Sequence, residues 1–572
     1  MRDAHDLPSA PPLTGAEAVA ATLLILLAAP IVGAYVCDWA GMPFRPAAMM
    51  PVALGPALAF AWWVRARVAW RADTLAAYAL VVAGWFIFLL WQAPESLPIG
   101  TGPDLTHHLL LVDYIERHWR LVHDPAVERY LGEMVRYTPG VHVLAALAGA
   151  WLKSDGLHTV HGVVSAAVAM KAGFVFLIAW RVLPDVPGRV AAAALAPVLL
   201  LLPYQYVLDA FMRDSFFAQV ASEGFTLGMC WALLLWAGRE REDRAVALTV
   251  FAVAGAAAFL TWPIWIGPAG VALGLTVVAR RPGDMAARGA MGARIVHAAL
   301  AALPIAAIAA IHIQRHASGL QMAQAEGYVL HPDFTILSPW LLAPAAFGAL
   351  LVATRRARPG ARVVLFLLAG IALQAGVLYA QARQAGNATA YMAFKTWYLV
   401  PYPLAVLAAL SAAHLLHLAD ARLGRERRRV VAVASGLMTA LVFGGAAVRI
   451  ASVDRDPPTV TTPLLQAGLW ARSHLPGGCV EYLVADDEAA YWLHLAILHN
   501  ERISARTGDN STYTLTDSVL RWLSETGRPY AIADLPALPR DVREDLQILQ
   551  RFDTAAVVRR DAPACRQDTS AP

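Results

Sequence analysis

Lysine and cysteine are both scarce in this sequence. Of its 46 basic residues only Lys153, Lys171 and Lys395 are lysines, and the arginines form short clusters between apolar runs. Proteins that bind nucleic acid gather basic residues along one face, so the net charge of +4 does not indicate a nucleic-acid partner. The four cysteines are too few and too scattered for a metal site or a dense disulfide framework. Cys479 and Cys565 could pair if their region lies in an oxidising compartment.

Apolar residues, by contrast, dominate the chain. They make up 58% of its 572 residues, and the mean hydropathy is +0.50. A soluble protein of this length would expose too much of that apolar surface, so we expect most of the chain to be solvated by lipid. Runs long enough to cross the hydrocarbon layer predict about thirteen transmembrane helices. The predicted spans are 16–37, 49–64, 75–91, 161–182, 190–207, 222–238, 245–261, 263–279, 295–312, 338–354, 363–381, 394–414 and 430–450.

Arginine clusters between these spans predict the orientation of the chain. Residues 65–71 contain three arginines and residues 38–48 contain one, so the positive-inside rule places the former segment in the cytoplasm. The later arginine-rich loops fall on the same side when the spans alternate. The sequence therefore predicts a multi-pass inner (plasma) membrane protein with a cytoplasmic N-terminus. Its outer loops are expected at 92–160, 208–221, 313–337 and 382–393.

The sequence changes character after Asp456-Pro457-Pro458. A helical run at 464–474 is followed by a strand-like run at 479–484, and similar alternation continues towards the C-terminus. We therefore predict a membrane domain over residues 1–453. Residues 454–572 are predicted to form a small periplasmic α/β domain with a disordered end.

The first long outer loop contains the most informative polar residues. Asp104 immediately precedes a helical pattern that carries His107 and His108, and this helix is expected to lie along the membrane surface. Asp104 could serve simply as the N-cap of that helix, and the histidines could be interfacial polar residues. Further along, the loop contains Tyr137-Thr138-Pro139-Gly140-Val141-His142 before the next span.

An aspartate before an interfacial helix with histidines, followed by Tyr-x-Pro-Gly-x-His, resembles the polytopic glycosyltransferases of the GT-C superfamily. The resemblance covers residues 15–415 loosely. It implies a polyprenyl-phosphate-linked sugar donor, an active site at the outer face, inversion at the anomeric carbon and a catalytic aspartate in the first outer loop. One difference is that this loop follows the third predicted helix here, whereas in the superfamily it usually follows the first.

Sugar transfer from a lipid phosphate needs a base for the acceptor hydroxyl and positive charge near the departing phosphate. The resemblance assigns the base to Asp104, with His107 or His108 orienting it or contacting the phosphate. A divalent metal could be held by Asp104 and one of these histidines, although their spacing is not diagnostic. The acceptor would be a cell-envelope glycan, lipid or protein, with Tyr137, His142, His316 and His331 as candidate contacts.

The candidate phosphate contacts come from later segments. Arg213 in the second outer loop and Lys395 at the entrance of a late span have suitable charges, with Asp214 and Tyr398 beside them. These residues are equally typical of a snorkelling arginine with its partner and of an interfacial aromatic belt. Glu223 is a further donor-site candidate, because an acid inside an apolar helix requires a partner or a polar cavity.

Two other functional classes remain open from the sequence. An O-antigen polymerase or ligase also combines a dozen or so helices with a large outer loop, but the acidic first loop and the C-terminal domain fit that class less well. A flippase or transporter of lipid-linked sugars would place charged groups near the middle of the membrane. Lys171 and Glu223 are the residues that keep this transporter alternative open.

Overall fold

A computed structural model describes most of the chain as helical. The described residues are 13–93, 97, 103–124, 127–186, 188–237, 243–279, 288–315, 327, 329–354, 356–387, 389–422, 458–500, 513–524, 528–544 and 546–561. The helices up to residue 422 are α1 (Gly15–Trp39), α2 (Pro46–Val64), α3 (Ala72–Gln92), α4 (Pro103–His118), α5 (Glu128–Leu131), α6 (Gly140–Leu152), α7 (Gly156–Val182), α8 (Arg189–Leu199), α9 (Ala210–Met212), α10 (Phe217–Ala237), α11 (Asp243–Thr261), α12 (Ile266–Val278), α13 (Arg288–Arg315), α14 (Pro339–Ala353), α15 (Arg362–Gln384), α16 (Tyr391–Thr396) and α17 (Pro401–Arg422).

The length and composition of these helices confirm a multi-pass membrane protein. Within the described ranges, nine helices are long and apolar enough to cross a membrane. Three more predicted spans correspond to the shorter apolar helices α8, α12 and α14. The remaining predicted span, 430–450, lies outside the described residues, so the total of about thirteen remains a prediction.

Helix α8 is much shorter than the sequence indicates. It ends at Leu199, whereas the apolar run predicts a span that continues to residue 207. Pro203, which has no backbone N–H to continue a helix, lies just beyond its end. An 11-residue helix is about 16 Å long, roughly half of the hydrocarbon thickness.

Helices α7 and α10 form the centre of the bundle. They pack against each other, and together they contact α3, α6, α8 and α11. Lys171 of α7 and Glu223 of α10 form an ion pair with an N–O distance of 2.6 Å, and their side chains are 1% and 0% exposed. Tyr402 of α17 donates a further hydrogen bond of 2.6 Å to Glu223. Both intramembrane charges therefore have the partner that their position requires.

The first long loop folds as a layer of helices on the bundle. Helix α4 packs against α6 and α7, and the eight residues 105–112 are all buried. Gly156, at the start of α7, allows this contact, because a Cβ there would lie 2.1 Å from Val112 Cγ1. The expected surface helix is therefore covered on both sides, on one by the bundle and on the other by the C-terminal domain.

The C-terminal residues form a small α/β unit, as predicted. Its strands are β1 (Val480–Leu483), β2 (Tyr530–Asp534), β3 (Gln547–Phe552) and β4 (Ala555–Arg559), and its helices are α18 (Thr462–His474), α19 (Asp487–Trp492), α20 (Leu515–Leu523) and α21 (Arg540–Glu544). The sheet order is β1-β2-β4-β3, with β1 parallel to β2 and the other pairs antiparallel. Helix α18 packs on this sheet.

Two predictions for this region depend on residues outside the described ranges. The predicted domain boundary at 453/454 falls in such a segment, so it remains a prediction. Cys479 is disulfide-bonded, whereas Cys37 and Cys230 are free. The predicted partner, Cys565, and the disordered end also lie outside the described residues.

Candidate active site

Three of the residues predicted from the first long loop lie together. His108 Nδ1 and His142 Nε2 are 2.8 Å apart, and they share a hydrogen bond. The Tyr137 ring contacts both imidazoles at centroid distances of 5.6 and 5.8 Å. Phe217 of the second loop stacks on His108 at 5.2 Å. This histidine cluster, His108, His142, Tyr137 and Phe217, joins the two loops.

His108 is neutral in this environment. Burial is the largest cause, and the nearby His142, His107 and Lys395 add to it, so the pKa of His108 lies well below its ordinary value. A hydrogen bond with the backbone of Ser215 opposes the shift only in part. A neutral imidazole can orient a neighbouring group through hydrogen bonds, and it does not compete with a nearby cation for a bound anion.

Lys395 lies beside this cluster in a pocket of aromatic rings. Its side chain is 3% exposed, and its ammonium nitrogen is 3.7 Å from the centroid of Phe216 and 4.6 Å from that of Tyr391. Trp262 is 5.2 Å from the same nitrogen and 5.4 Å from the Tyr137 ring. The aromatic faces therefore stabilise the buried cation and connect it to the histidine cluster.

The second loop brings these groups together by a tight turn. Ser215 adopts a left-handed conformation with φ of 55°, and the amide of Asp214 donates to the carbonyl of Asp209 at 2.8 Å. The turn directs Phe216 towards Lys395 and Phe217 towards His108. Arg213 is exposed at the turn, and Asp214 is half-buried.

Tyr398 closes another side of the aromatic pocket. Its ring is 5.1 Å from Tyr206 and 6.0 Å from Phe216, and Asp214 is close enough to interact with it electrostatically. The Tyr206 hydroxyl donates to the backbone carbonyl of His331 at 2.8 Å. His331, predicted as an acceptor contact, is therefore fixed near the site through its backbone, and its ring packs on Phe394 at 4.7 Å.

Ser215 and Trp262 are site residues that the sequence did not reveal. The hydroxyl of Ser215 and the indole nitrogen of Trp262 are buried, and neither makes a hydrogen bond to another described protein atom. Buried donors normally have partners, so both are available to oxygen atoms of a bound molecule. A single serine and a single tryptophan in loops carry no recognisable pattern, and only the fold places them beside Lys395 and His108.

Other predicted residues lie elsewhere. His107, adjacent in sequence to His108, faces the C-terminal domain, where its Nε2 is 3.1 Å from the Tyr491 hydroxyl. Glu223 lies in the buried pair with Lys171. Asp104 is the second residue of α4, which begins at Pro103, so it lies inside the helix and not at the N-cap position considered from the sequence. Its side chain lies outside the described part of the structure, as does His316.

The described side chains do not form a metal centre. Among them, no three histidine, cysteine, aspartate or glutamate residues converge as a ligand set. The predicted histidine ligands have protein contacts instead, since His107 contacts Tyr491 and His108 contacts His142. A metal held by Asp104 with one of these histidines remains a sequence-based prediction.

Glu116 makes the junction between α4 and α7 sensitive to pH. Its Oε1 accepts a hydrogen bond of 2.6 Å from the Gly156 amide, and burial, followed by Asp155 and Asp113, raises the pKa to about 7. The pKa of Glu116 is higher in the folded protein than in the unfolded chain, so protonated Glu116 stabilises the folded state. This contribution is fully present below the ordinary pKa of 4.5 and is lost as the pH rises through about 7. We expect the melting temperature of the wild type to fall relative to Glu116→Gln between pH 5 and pH 8. A constant difference across this range would contradict the assignment.

Among the comparisons with known proteins, the one with solved structures found similar chains. The chain is similar to the solved structures of two proteins. One is the Archaeoglobus fulgidus oligosaccharyltransferase, with 14% identity, 80% of this chain and 69% of that chain covered, and a TM-score of 0.44. The other is ArnT from Cupriavidus metallidurans, solved in the apo state and bound to undecaprenyl phosphate, with 14% identity, 86% and 99% coverage and a TM-score of 0.46. No family model and no curated protein sequence matches the chain.

Proposed function

We propose that the protein is a membrane glycosyltransferase that moves a sugar from a polyprenyl-phosphate-linked donor to a cell-envelope glycan, lipid or protein. The observation that carries this proposal is the buried Lys395, ringed by aromatic side chains and adjoining the neutral His108–His142 pair. A cation in such a pocket suits a phosphate whose lipid tail remains in the membrane. The orientation predicted from the arginine clusters places this reaction at the outer face, with the C-terminal domain outside as well.

The proposed reaction is a displacement at the anomeric carbon. Asp104 removes the proton from an acceptor hydroxyl, whose oxygen then forms the new glycosidic bond with inversion. The bond between the anomeric carbon and the phosphate oxygen breaks, and the phosphate leaves with the electron pair. Lys395 stabilises the charge that develops there, and the Ser215 hydroxyl and Trp262 indole supply hydrogen bonds.

The placement of α4 supports the role of Asp104. Residues 104 and 108 are four positions apart in this helix, so they are neighbours along its surface. His108 contacts the Tyr137 ring, and Tyr137 contacts Trp262. Trp262 in turn lies beside the Lys395 ammonium. A base at position 104 would therefore act at the edge of the same site. Tyr137 and His142 remain candidate acceptor contacts, while Arg213, Asp214 and Tyr398 remain candidate donor contacts.

The ion pair between Lys171 and Glu223 explains the two intramembrane charges without a transport pathway. Lys171 and Glu223 kept the transporter alternative open, and each now satisfies the other within the bundle. The assay that separates the two classes uses membranes loaded with radiolabelled polyprenyl-phosphate sugars. Label that reaches an acceptor supports the transferase, and lipid that moves without transfer supports the transporter.

Lys395 provides the direct test of the phosphate site. We expect Lys395→Gln to lower kcat/KM for the polyprenyl-phosphate sugar by roughly 10- to 100-fold, because a charge-assisted contact contributes about 1.5–3 kcal/mol. The matched control is Lys153→Gln, which changes an exposed lysine of the first long loop. Equal kcat/KM values for the two variants would reject Lys395 as a phosphate contact.

A further inference from the structure

Two polar contacts join helix α4 to the C-terminal domain. In the first, His107 Nε2 lies 3.1 Å from the hydroxyl of Tyr491 in α19, and their rings meet edge to face with centroids 6.2 Å apart. Both side chains are buried, with 1% and 3% exposure. Polar groups buried at an interface are costly to leave without a partner, so this contact requires that the domain remain docked on α4.

The second contact is made by Asp113, which lies beside one histidine and two arginines. Its carboxylate lies 2.9 Å from His499 Nε2, 2.6 Å from Arg117 of the same helix and 3.9 Å from Arg472 of α18. Burial alone would raise the pKa of Asp113, but His499 and the two arginines hold it below its ordinary value. The carboxylate is therefore charged, and His499 and Arg472 anchor it to the domain.

These contacts fix the orientation of α4 as well as its position. Residues 107 and 113 are about 9 Å apart along a helix, so two attachments at that distance define both its rotation and its tilt. His108 follows His107 directly but faces the bundle, where it contacts His142 and Phe217. A rotation of α4 that breaks the His107 contact must therefore also displace His108 and the turn that carries Asp104.

We propose that the C-terminal domain is a positioning element that holds α4 in the rotation required by the active site. Tyr491 and His499 are then positioning residues, and His107 and Asp113 are their attachment points on α4. None of these four residues needs to touch the substrates. The effect on activity rests on the proposed glycosyltransferase function, because it requires that α4 carries reacting groups. The docking itself is independent of that function.

The experiment uses the full-length protein in lipid nanodiscs, with Tyr491→Phe, Asp113→Asn and the double variant. Tyr491→Phe removes the hydroxyl and keeps the ring. The matched controls are Tyr530→Phe, in β2 of the same domain, and Asp553→Asn, in the exposed turn between β3 and β4. Hydrogen exchange is measured on peptides covering 105–118, and protection of β2 and β4 verifies that the domain is folded.

We expect amide exchange in α4 to rise by about 10- to 100-fold in the double variant, as the loss of one buried and one partly buried polar contact predicts. The controls should match the wild type. In the transfer assay, kcat should fall by at least about 10-fold while KM for the polyprenyl-phosphate sugar changes less than about 2-fold, since misplacement slows the reaction more than it weakens binding.

The results separate this proposal from the proposed function. Unchanged exchange in α4, with a folded domain, would overturn the docking role. Faster exchange with an unchanged kcat would overturn the positioning role. If exchange rises as expected but the wild type transfers no sugar to any acceptor, the glycosyltransferase function is rejected and the docking role is supported.

Discussion

Asp104→Asn is expected to reduce sugar transfer by about 100- to 10,000-fold, the range typical for loss of a general base. An amide cannot accept the proton of an acceptor hydroxyl, whereas the size and shape of the side chain are retained. We expect KM for the polyprenyl-phosphate donor to change little, because the donor contacts assigned to Lys395, Ser215 and Trp262 remain. The measurement is transfer of radiolabelled sugar by purified protein in nanodiscs.

The same substitution separates catalysis from a structural role of Asp104 in the first turn of α4. Asparagine keeps a side-chain oxygen that can accept from the free backbone amides of the first helical turn, so Asp104→Asn leaves most of a purely structural role intact. The matched control is Asp155→Asn in the same loop, because Asp155 caps α7 by accepting a hydrogen bond from the His158 amide. We expect full activity from this control. Transfer by Asp104→Asn within a few-fold of the wild type would leave Asp104 with a structural role only and remove the proposed base.

The sequence predicted the residues whose physical requirements are local. Lys171 and Glu223 each required a partner or a polar cavity, because a charge in an apolar helix is otherwise too costly, and the structure shows that they are partners of each other. The first strand of the C-terminal sheet was likewise predicted, from the strand-like run at 479–484. The β3–β4 hairpin was missed, because β3 is largely exposed and shows no apolar alternation.

Contacts between segments that are distant in the sequence could not be predicted from it. Tyr491 contacts His107 across 384 positions, and nothing near either residue indicates the other. His107 and His108 looked equivalent in the sequence, yet one faces the C-terminal domain and the other faces the bundle. In the same way, Lys395 was recognised as an unusual lysine, but its neighbours Phe216 and Trp262 come from loops whose conformations depend on the whole bundle.

Glu223→Leu is expected to lower the free energy of unfolding by about 3–5 kcal/mol, as found when one partner of a buried ion pair is removed. The Lys171 ammonium, 1% exposed, would be left without its carboxylate, and Tyr402 would lose the acceptor of its hydrogen bond. Replacing both charges, in Lys171→Met with Glu223→Leu, should recover most of this loss, because apolar side chains of similar size can fill the same space. Denaturant unfolding in detergent micelles measures all three proteins.

A matched control distinguishes burial from the mere loss of a glutamate. Glu128 forms an ion pair with Arg136 at 3.4 Å, but both side chains are about half exposed, at 49% and 56%. Glu128→Leu should therefore change the stability by less than about 1 kcal/mol. If the Lys171→Met, Glu223→Leu double variant were as unstable as Glu223→Leu alone, the cost would come from the leucine and not from the isolated lysine charge. The intramembrane pair would then have to be explained by a role other than mutual neutralisation.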